Sequence, residues 1–333
     1  MPTVGDRARA GSAQPPERAP RGVTEVVGDW FYVHRRDLPW RASDRTPWGV
    51  LVSEVMLQQT PVARVVPAWT AWMQRWPRPA DLAADSPGEA VRQWDRLGYP
   101  RRALNLHGAA VAMVERHEGR VPESEADLRA LPGVGEYTAA AVRAFAFGRR
   151  SIVLDTNVRR VLARLLGGEE HPPPSLTAAE RARADSVVPD DDAAAAHWSA
   201  AVMELGALVC TATSPRCSSC PVQARCAWVQ AGRPAYDGPP RRVQRFAGTD
   251  RQVRGRIMAV LRESGGPVAR SQIEAAWDEA IQRERALDGL VADGLVALVG
   301  EDRFGLPTEI AVARTAGGVP DGRRRARTAG GVP

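Results

Sequence analysis

From Val23 to about Gln230 the apolar residues of this chain recur at three- and four-residue spacings, and the alternating pattern of a half-buried strand is scarce. Over Trp48 to Gln59 the apolar positions are 48, 51, 52, 55 and 56, and over Val158 to Leu166 they are 158, 161, 162, 165 and 166, so each stretch is predicted helical. Ser124 opens a short helix, and a longer one runs from about Tyr137 to Phe147. Beyond the helical region, residues 231–248 are rich in Pro, Gly and Arg and read as a linker. Over 249–308, Val253, Ile257, Val260 and Leu261 mark one helix, Ser271 with Glu274 is a capping box opening a second, and a third ends near Gly294. Leu295 to Val299 and Arg303 to Leu306 then pair across Gly300-Glu301-Asp302 as a hairpin, which predicts a small winged-helix-like module. Residues 1–22 carry Pro, Arg, Gly and Ala without apolar periodicity and read as a disordered arm. Residues 309–333 repeat Ala-Arg-Thr-Ala-Gly-Gly-Val-Pro twice and read as a disordered tail, since two such phrases make no solenoid. The fold class is all-α with this one small β-wing.

Composition narrows the partner. A net charge of +6 and a pI near 9.7 suit a surface that meets a polyanion. All 45 basic residues are arginine, in a chain also rich in Ala, Gly and Pro, as genomic composition bias produces. The chemical consequence is firm: no lysine is present to form a Schiff base.

Cys210, Cys217, Cys220 and Cys226, the only four cysteines, lie in one stretch with the spacing C-x6-C-x2-C-x5-C. A disulfide scaffold belongs to short secreted chains, whereas 333 residues without an apolar signal segment have material for an ordinary core. The four therefore form one metal site. A single CxxC between lone cysteines suits a cubane iron-sulfur cluster better than zinc, which prefers two pairs across a longer spacer.

Leu131-Pro132-Gly133-Val134-Gly135 lies between the Ser124 helix and the Tyr137 helix. Two glycines two apart allow a tight turn that presents N–H groups at a helix N-terminus, a place for a phosphate. Alone, such a turn is more often an ordinary helix–helix connection; between Leu-Pro and a second helix it looks like a helix-hairpin-helix gripping a DNA backbone. Two carboxyls stand out. Glu54 sits in the apolar run Val50 to Leu57, where burial would raise its pKa and make it a proton donor near neutrality. Asp155 follows Ile152-Val153-Leu154 and precedes the Val158 helix, so it is an N-cap that the helix keeps ionised, suited to facing a developing sugar cation. One carboxyl tuned up and one down is the division of labour of glycoside cleavage.

Leu131-Pro-Gly-Val-Gly135, Leu154-Asp-Thr-Asn-Val158 and the cysteine loop together resemble the helix-hairpin-helix DNA glycosylases with an iron-sulfur cluster. Within them, Ser53-Glu-Val-Met-Leu-Gln-Gln-Thr60 resembles the A/G-mismatch-specific adenine DNA glycosylases, the MutY family. The likeness covers about residues 25–230. It implies a six-helix barrel with the hairpin over about 44–150, a cluster domain from about 23–43 plus 151–230, and a 4Fe-4S cluster on the four cysteines. It implies Glu54 as the acid at adenine N7, Asp155 as the carboxylate facing the oxocarbenium-like sugar, Asn157 placing the water and Tyr137 beside the sugar. Trp40, Arg41, Leu57 and Glu204 would line the pocket for the flipped adenine, with core packing the competing role for Trp40 and Leu57. Gln59, Thr60 and Tyr99 would meet the oxidised guanine opposite, Tyr99 as a wedge, while Gly133, Val134 and Gly135 hold the backbone. The cluster would shape a loop that offers Arg216 and Arg225 to phosphates, or would serve DNA scanning by redox. The lyase relatives carry a lysine where Tyr137 stands.

The function implied is a monofunctional glycosylase that excises adenine opposite 8-oxoguanine or guanine in double-stranded DNA and leaves the abasic site to a downstream endonuclease. A monomer, cytoplasmic and nucleoid-associated with no membrane contact, is expected. A thymine or uracil mismatch glycosylase on the same fold and a non-catalytic iron-sulfur DNA-binding or redox protein are the alternatives. Three departures from the family pattern are Thr156 after Asp155 in place of glycine, Pro100 after Tyr99 in place of a second tyrosine, and about 85 residues beyond the linker that do not resemble the Nudix-like domain that checks for 8-oxoguanine. The winged module would add a DNA contact, dock a partner or cap the fold.

Overall fold

Two apolar cores organise the chain, and the helices around them bury the faces that the sequence spacing marks. The computed structural model describes residues 22–238 and 247–308; the predicted arm, the middle of the linker and the repeat tail lie outside the described residues. Helix α1, Val23–His34, belongs to the second core, which the chain reaches again only after completing the first. Helix α2, Pro47–Leu57, starts where Thr46 accepts the Gly49 N–H at 3.0 Å and Pro47 fills a position whose N–H has no helical partner. Every residue from Trp48 to Met56 is buried, so α2 is the central rod of its body.

On α2 pack α3 (Val62–Arg75), α6 (Arg101–Arg116) and α8 (Glu136–Phe147), with α4 (Pro79–Ala83) and α5 (Pro87–Trp94) against α6 and α7 (Glu125–Arg129) against α8. Leu51, Met56, Trp72, Leu106 and Met113 fill the centre, and the Trp72 ring meets Trp76 and Trp94 edge-on at 4.7 and 5.7 Å. The second core joins α1 to α9 (Thr156–Gly167), α10 (Ala178–Asp185), α11 (Asp192–Leu208) and α12 (Ala227–Gln230) through Phe31, Val161, Leu162, Leu165, Trp198 and Leu205. Helix α8 packs on α2 and on α11, so the two bodies meet along it. No strand occurs among described residues 22–238, and no described helix is long and apolar enough to cross a membrane.

The C-terminal module comprises α13 (Asp250–Glu263), α14 (Arg270–Glu274) and α15 (Ala280–Ala292) with strands β1 (Val268–Ala269), β2 (Ala297–Leu298) and β3 (Arg303–Gly305). The hairpin pairs as expected, Leu298 opposite Phe304, but β3 is central, with β1 on its other edge. Two residues are too few to show a period, so β1 was invisible in the sequence. The expected capping box at Ser271 and Glu274 is also displaced: α14 begins two residues earlier, and Gln272 accepts the Ala269 N–H at 3.0 Å. The buried residues of the module are continuous with the first core. Gly88 on α5 permits this, because a Cβ there would stand 2.6 Å from the Pro307 carbonyl oxygen.

Helix α2 is shorter than its pattern, ending at Leu57 with Gln58 as its cap and Gln59 in the left-handed region at φ 55°. The start of the predicted linker is held rather than free. Trp228 donates to the Pro234 carbonyl at 2.9 Å, and the Tyr236 N–H donates to Glu170 Oε2 at 2.7 Å. In the α7–α8 turn Leu131 and Val134 are buried, and Gly133 takes φ 76° with its Cα against Asn105. A Cβ on Gly133 would lie 2.6 Å from that of Asn105, on top of the left-handed strain. Gly133→Ala is therefore expected to cost about 1–3 kcal/mol and lower the melting temperature by roughly 2–4 °C per kcal/mol. Calorimetry checks it, and an unchanged melt would show that the turn relaxes freely.

Candidate active site

The seam between the two bodies opens into a cleft of about 1300 Å³. Of the residues singled out from the sequence, Trp40, Arg41, Glu54, Leu57, Gln59, Thr60, Gly133, Gly135, Tyr137, Asp155 and Asn157 line it. Glu204, Val134 and Tyr99 do not. Glu204 is fully buried behind the wall, where it accepts from Arg36 through Nε at 2.8 Å and Nη2 at 2.7 Å, and from Arg41 Nη2 at 3.1 Å. Burial opposes its charge, yet the two guanidiniums hold its pKa down at about 2. Glu204 thus anchors Arg36 and Arg41, which face the cleft, instead of facing it itself. Val134 packs in the first core, and Tyr99 stands on a neighbouring loop.

Glu54 comes from the middle of α2 and is 5% exposed. Burial pushes its pKa up to about 7; the Tyr137 hydroxyl, donating to Oε2 at 2.9 Å, opposes that rise, the charge of Asp155 adds to it, and Arg41 opposes it. Tyr137, in the first turn of α8, is held well above its ordinary value by burial and by the two carboxyls, so it remains a donor. Asp155 is the N-cap of α9 as expected, accepting from the Val158 N–H at 2.6 Å and from Asn157 Nδ2 at 2.8 Å. Its charge is not favoured as the cap alone would make it. Burial raises its pKa, and the hydrogen bonds from Val158 and Asn157 and the Arg160 charge only oppose the rise. Both carboxyls are therefore shifted upward by burial in the same seam, where one up and one down was expected.

Asn157 is fixed in turn by Arg160, which donates to its Oδ1 at 2.8 Å, to the Gly206 carbonyl at 2.7 Å and to the Cys210 carbonyl at 2.8 Å. Across the cleft, no side chain caps the start of α8, and a Cβ on Gly135 would meet nothing within 4 Å. That end of α8 is open to an anion. Gln59 and Thr60 sit where α2 ends on a residue the sequence reading missed. Arg102, 8% exposed, donates to the carbonyls of Val55, Met56 and Gln58 at 2.8, 3.1 and 2.6 Å. Its other nitrogen reaches Thr60 Oγ1 at 3.1 Å and the Leu97 and Gly98 carbonyls at 3.3 and 3.0 Å. Arg36 was missed as well; in a chain whose every cation is arginine, type carries no signal of burial.

The four cysteines line a second, small cavity with Arg164, Val209 and Trp228. Among the described residues no group of three is placed to hold a single metal ion; the thiols surround the cavity instead. Arg164, 1% exposed and 4.8 Å from the Trp228 ring, donates to Cys210 Sγ at 3.4 Å. Burial pushes the Cys220 thiol up to about 11 and raises Cys210, so the protein alone favours the neutral thiol at both. Arg216, expected to face phosphates, donates back to the Leu208 carbonyl.

The HhH-GPD superfamily of base excision DNA repair proteins matches residues 52–184. The chain is 46% identical over 299 residues to an adenine DNA glycosylase of Mycobacterium tuberculosis, covering 89% of this chain and 97% of that one. It is 49% identical over 288 residues to an adenine DNA glycosylase of Mycolicibacterium smegmatis, covering 86% and 97%. A solved structure of a thermostable thymine-DNA glycosylase superposes with a TM-score of 0.56 at 26% identity, covering 62% of this chain and 95% of that one.

Glu54 supplies a test of this geometry that is independent of any reaction. The folded state keeps its proton up to pH about 7, and the unfolded chain loses it near 4.5. Its contribution to stability is intact below pH 4.5 and is lost as pH rises to 7, about 3 kcal/mol in all. Glu54→Gln keeps an acceptor for Tyr137 without a charge. The variant is expected to melt several degrees above wild type at pH 8 and level with it near pH 4.5, and equal melts at both would show that Glu54 is not desolvated.

Proposed function

The chain belongs to the adenine DNA glycosylase family and acts in base excision repair, and from that premise we propose that it excises adenine opposite 8-oxoguanine or guanine by hydrolysing the N-glycosidic bond. The observation that carries the reading is that Glu54 and Asp155 line one cleft, the charge of Asp155 adding to the rise in the pKa of Glu54, while Tyr137 and Asn157 hold their oxygens. The target adenine enters flipped out of the duplex, between Trp40, Arg41 and Leu57. Glu54, whose pKa of about 7 leaves a large protonated fraction at neutral pH, gives its proton to N7; the C1′–N9 bond breaks with its electron pair going to the base, which leaves neutral. Asp155 faces the sugar as it becomes cationic, its oxygens held by the Val158 N–H and the Asn157 amide. Asn157 orients the attacking water. Gln59, Thr60 and Tyr99 meet the strand opposite, and the open start of α8 with Gly133 and Gly135 holds a backbone phosphate. With no lysine anywhere in the chain, no Schiff base forms and the abasic site passes intact to a separate endonuclease.

The donor set of the cysteine cavity fits a 4Fe-4S cluster held by Cys210, Cys217, Cys220 and Cys226. Four thiols around one cavity match a group wider than a single ion, and the cluster's positive irons offset the cost of ionising buried sulfurs. The cluster supplies there a cross-link that orders the loop between α11 and α12. Arg164 holds that loop from within through Cys210, Thr211 and Ala212.

Single-turnover base release on duplexes with A opposite 8-oxoguanine, A opposite G, T opposite G and U opposite G tests the activity. Adenine loss that becomes a strand break only after alkali is expected; release of thymine or uracil, or breakage without alkali, would contradict it. The kcat/KM for adenine release should fall as pH rises through about 7, where Glu54 loses its proton. Glu54→Gln should lose at least about 100-fold in rate while binding DNA as wild type does, and equal turnover would remove Glu54 from the mechanism. Cys217→Ser should lose the brown absorbance near roughly 400 nm and DNA affinity; a colourless wild-type protein with stoichiometric zinc would refute the cluster.

A further inference from the structure

The loop that carries Tyr99 is gripped from two sides, and one of the hands belongs to the C-terminal module. Two of its non-glycine residues, Asp95 and Tyr99, hold left-handed backbone at φ 43° and 46°. Such strain persists only where the surroundings enforce it. From below, Arg102 binds the Leu97 and Gly98 carbonyls and ties them to Thr60 on the rim of the cleft. From outside, the module packs along α5 and the start of α6. Arg92 on α5 donates to the Ser264 carbonyl at 2.7 Å, Arg101 pairs with Asp293 at 3.2 Å, and Asp293 also takes Arg254 of α13. That docking sets Arg251, one position into α13, over the Tyr99 ring at 4.6 Å from its centroid, with Arg102 at 5.7 Å. The ring is nonetheless 43% exposed, so it is held by two cations without being buried.

An exposed tyrosine on a short loop otherwise samples its rotamers freely, and fixing one of them is a cost paid at binding unless the free protein has already met it. We propose that the C-terminal module takes part in DNA recognition through this loop, with Arg251 as a positioning residue that pre-orients Tyr99 toward the strand opposite the excised adenine and so sets discrimination for the opposing base. The inference rests on the reading of Tyr99 given above as a residue that enters that strand. On α15, the third helix of the module, Arg285 pairs with Asp250 and Arg283 is buried.

The full-length protein is compared with Arg251→Ala, Arg251→Lys, Tyr99→Ala and the Arg251→Ala/Tyr99→Ala double variant. The readouts are single-turnover rate and affinity on duplexes with A opposite 8-oxoguanine and A opposite G, and fluorescence of 2-aminopurine placed beside the opposing base. Arg251→Ala is expected to weaken binding to the 8-oxoguanine duplex about three- to tenfold, to narrow its preference over the guanine duplex, and to lower the 2-aminopurine signal of an opened stack. Arg251→Lys should recover part of the loss. Because Arg251 acts through Tyr99, the double variant should match Tyr99→Ala. Losses that multiply in the double variant, with the salt dependence of binding falling by about one counterion, would mean a direct phosphate contact and overturn the proposal. So would wild-type behaviour of Arg251→Ala. If Tyr99→Ala alone behaves as wild type in both rate and fluorescence, the reading of Tyr99 itself fails, and the inference falls with it.

Discussion

A helix that ends inside a protein leaves its last carbonyls without partners, and here one buried cation meets that demand for the helix on which everything else is mounted. Arg102 collects the carbonyls of Val55, Met56 and Gln58 and, with its second nitrogen, Thr60, Leu97 and Gly98. Burial lowers its pKa to about 10, which still leaves it charged at neutral pH, at the negative end of α2 where a cation is favoured. Six acceptors and the face of Trp94 at 5.1 Å offset the cost of desolvating a guanidinium. Arg102 thus ties the end of the helix that carries Glu54, the turn at Gln59 and the loop before Tyr99 into one set of hydrogen bonds.

The two carboxyls of the cleft show why such a site must be assembled from opposite sides. Glu54 comes from α2 in the first core and Asp155 from the start of α9 in the second, and no local segment carries both. Each is desolvated by the seam between the bodies, so each is pushed toward its neutral form, and the charge of Asp155 adds to the push on Glu54. What distinguishes them is the hydrogen-bond inventory. Asp155 accepts from a helix N–H and an amide, donors already aligned to stabilise a carboxylate. Glu54 has one hydroxyl partner. Asp155 is therefore the better placed of the two to face a positive charge as a carboxylate, and Glu54 the better placed to carry a proton.

Much of the fold was legible because its signals are local. The spacing of Leu51, Val52, Val55 and Met56 marks the buried face of α2, Ser124 and Asp155 cap the helices they precede, and the turn at Gly300 joins a hairpin that forms as drawn. What escaped is non-local. Arg36, Arg102 and Arg251 reach partners 168, up to 47 and 152 positions away respectively or are reached by them, and nothing in the neighbouring residues separates them from the other arginines. Glu204 was placed in the cleft wall by family resemblance; only the packing reveals that Arg36 and Arg41 stand in front of it. The upward shift of Asp155 was missed for the same reason, since an N-cap is visible in sequence and the desolvation that outweighs it is not.

The seam is also where stability and chemistry compete. A buried carboxyl at pH 7 weakens the fold, and a well-packed apolar side chain at position 54 would strengthen it. The structure concentrates the penalty at one place and braces it on both sides: Tyr137 from α8 against Glu54, and Asn157, itself held by Arg160, against Asp155. Arg160 extends that brace to the Cys210 carbonyl, so the loop that holds the four thiols and the cap that orients Asp155 share one guanidinium. Both ends of the brace thus hang on one planar group, whose fixed fork of donors meets Asn157, Gly206 and Cys210 together.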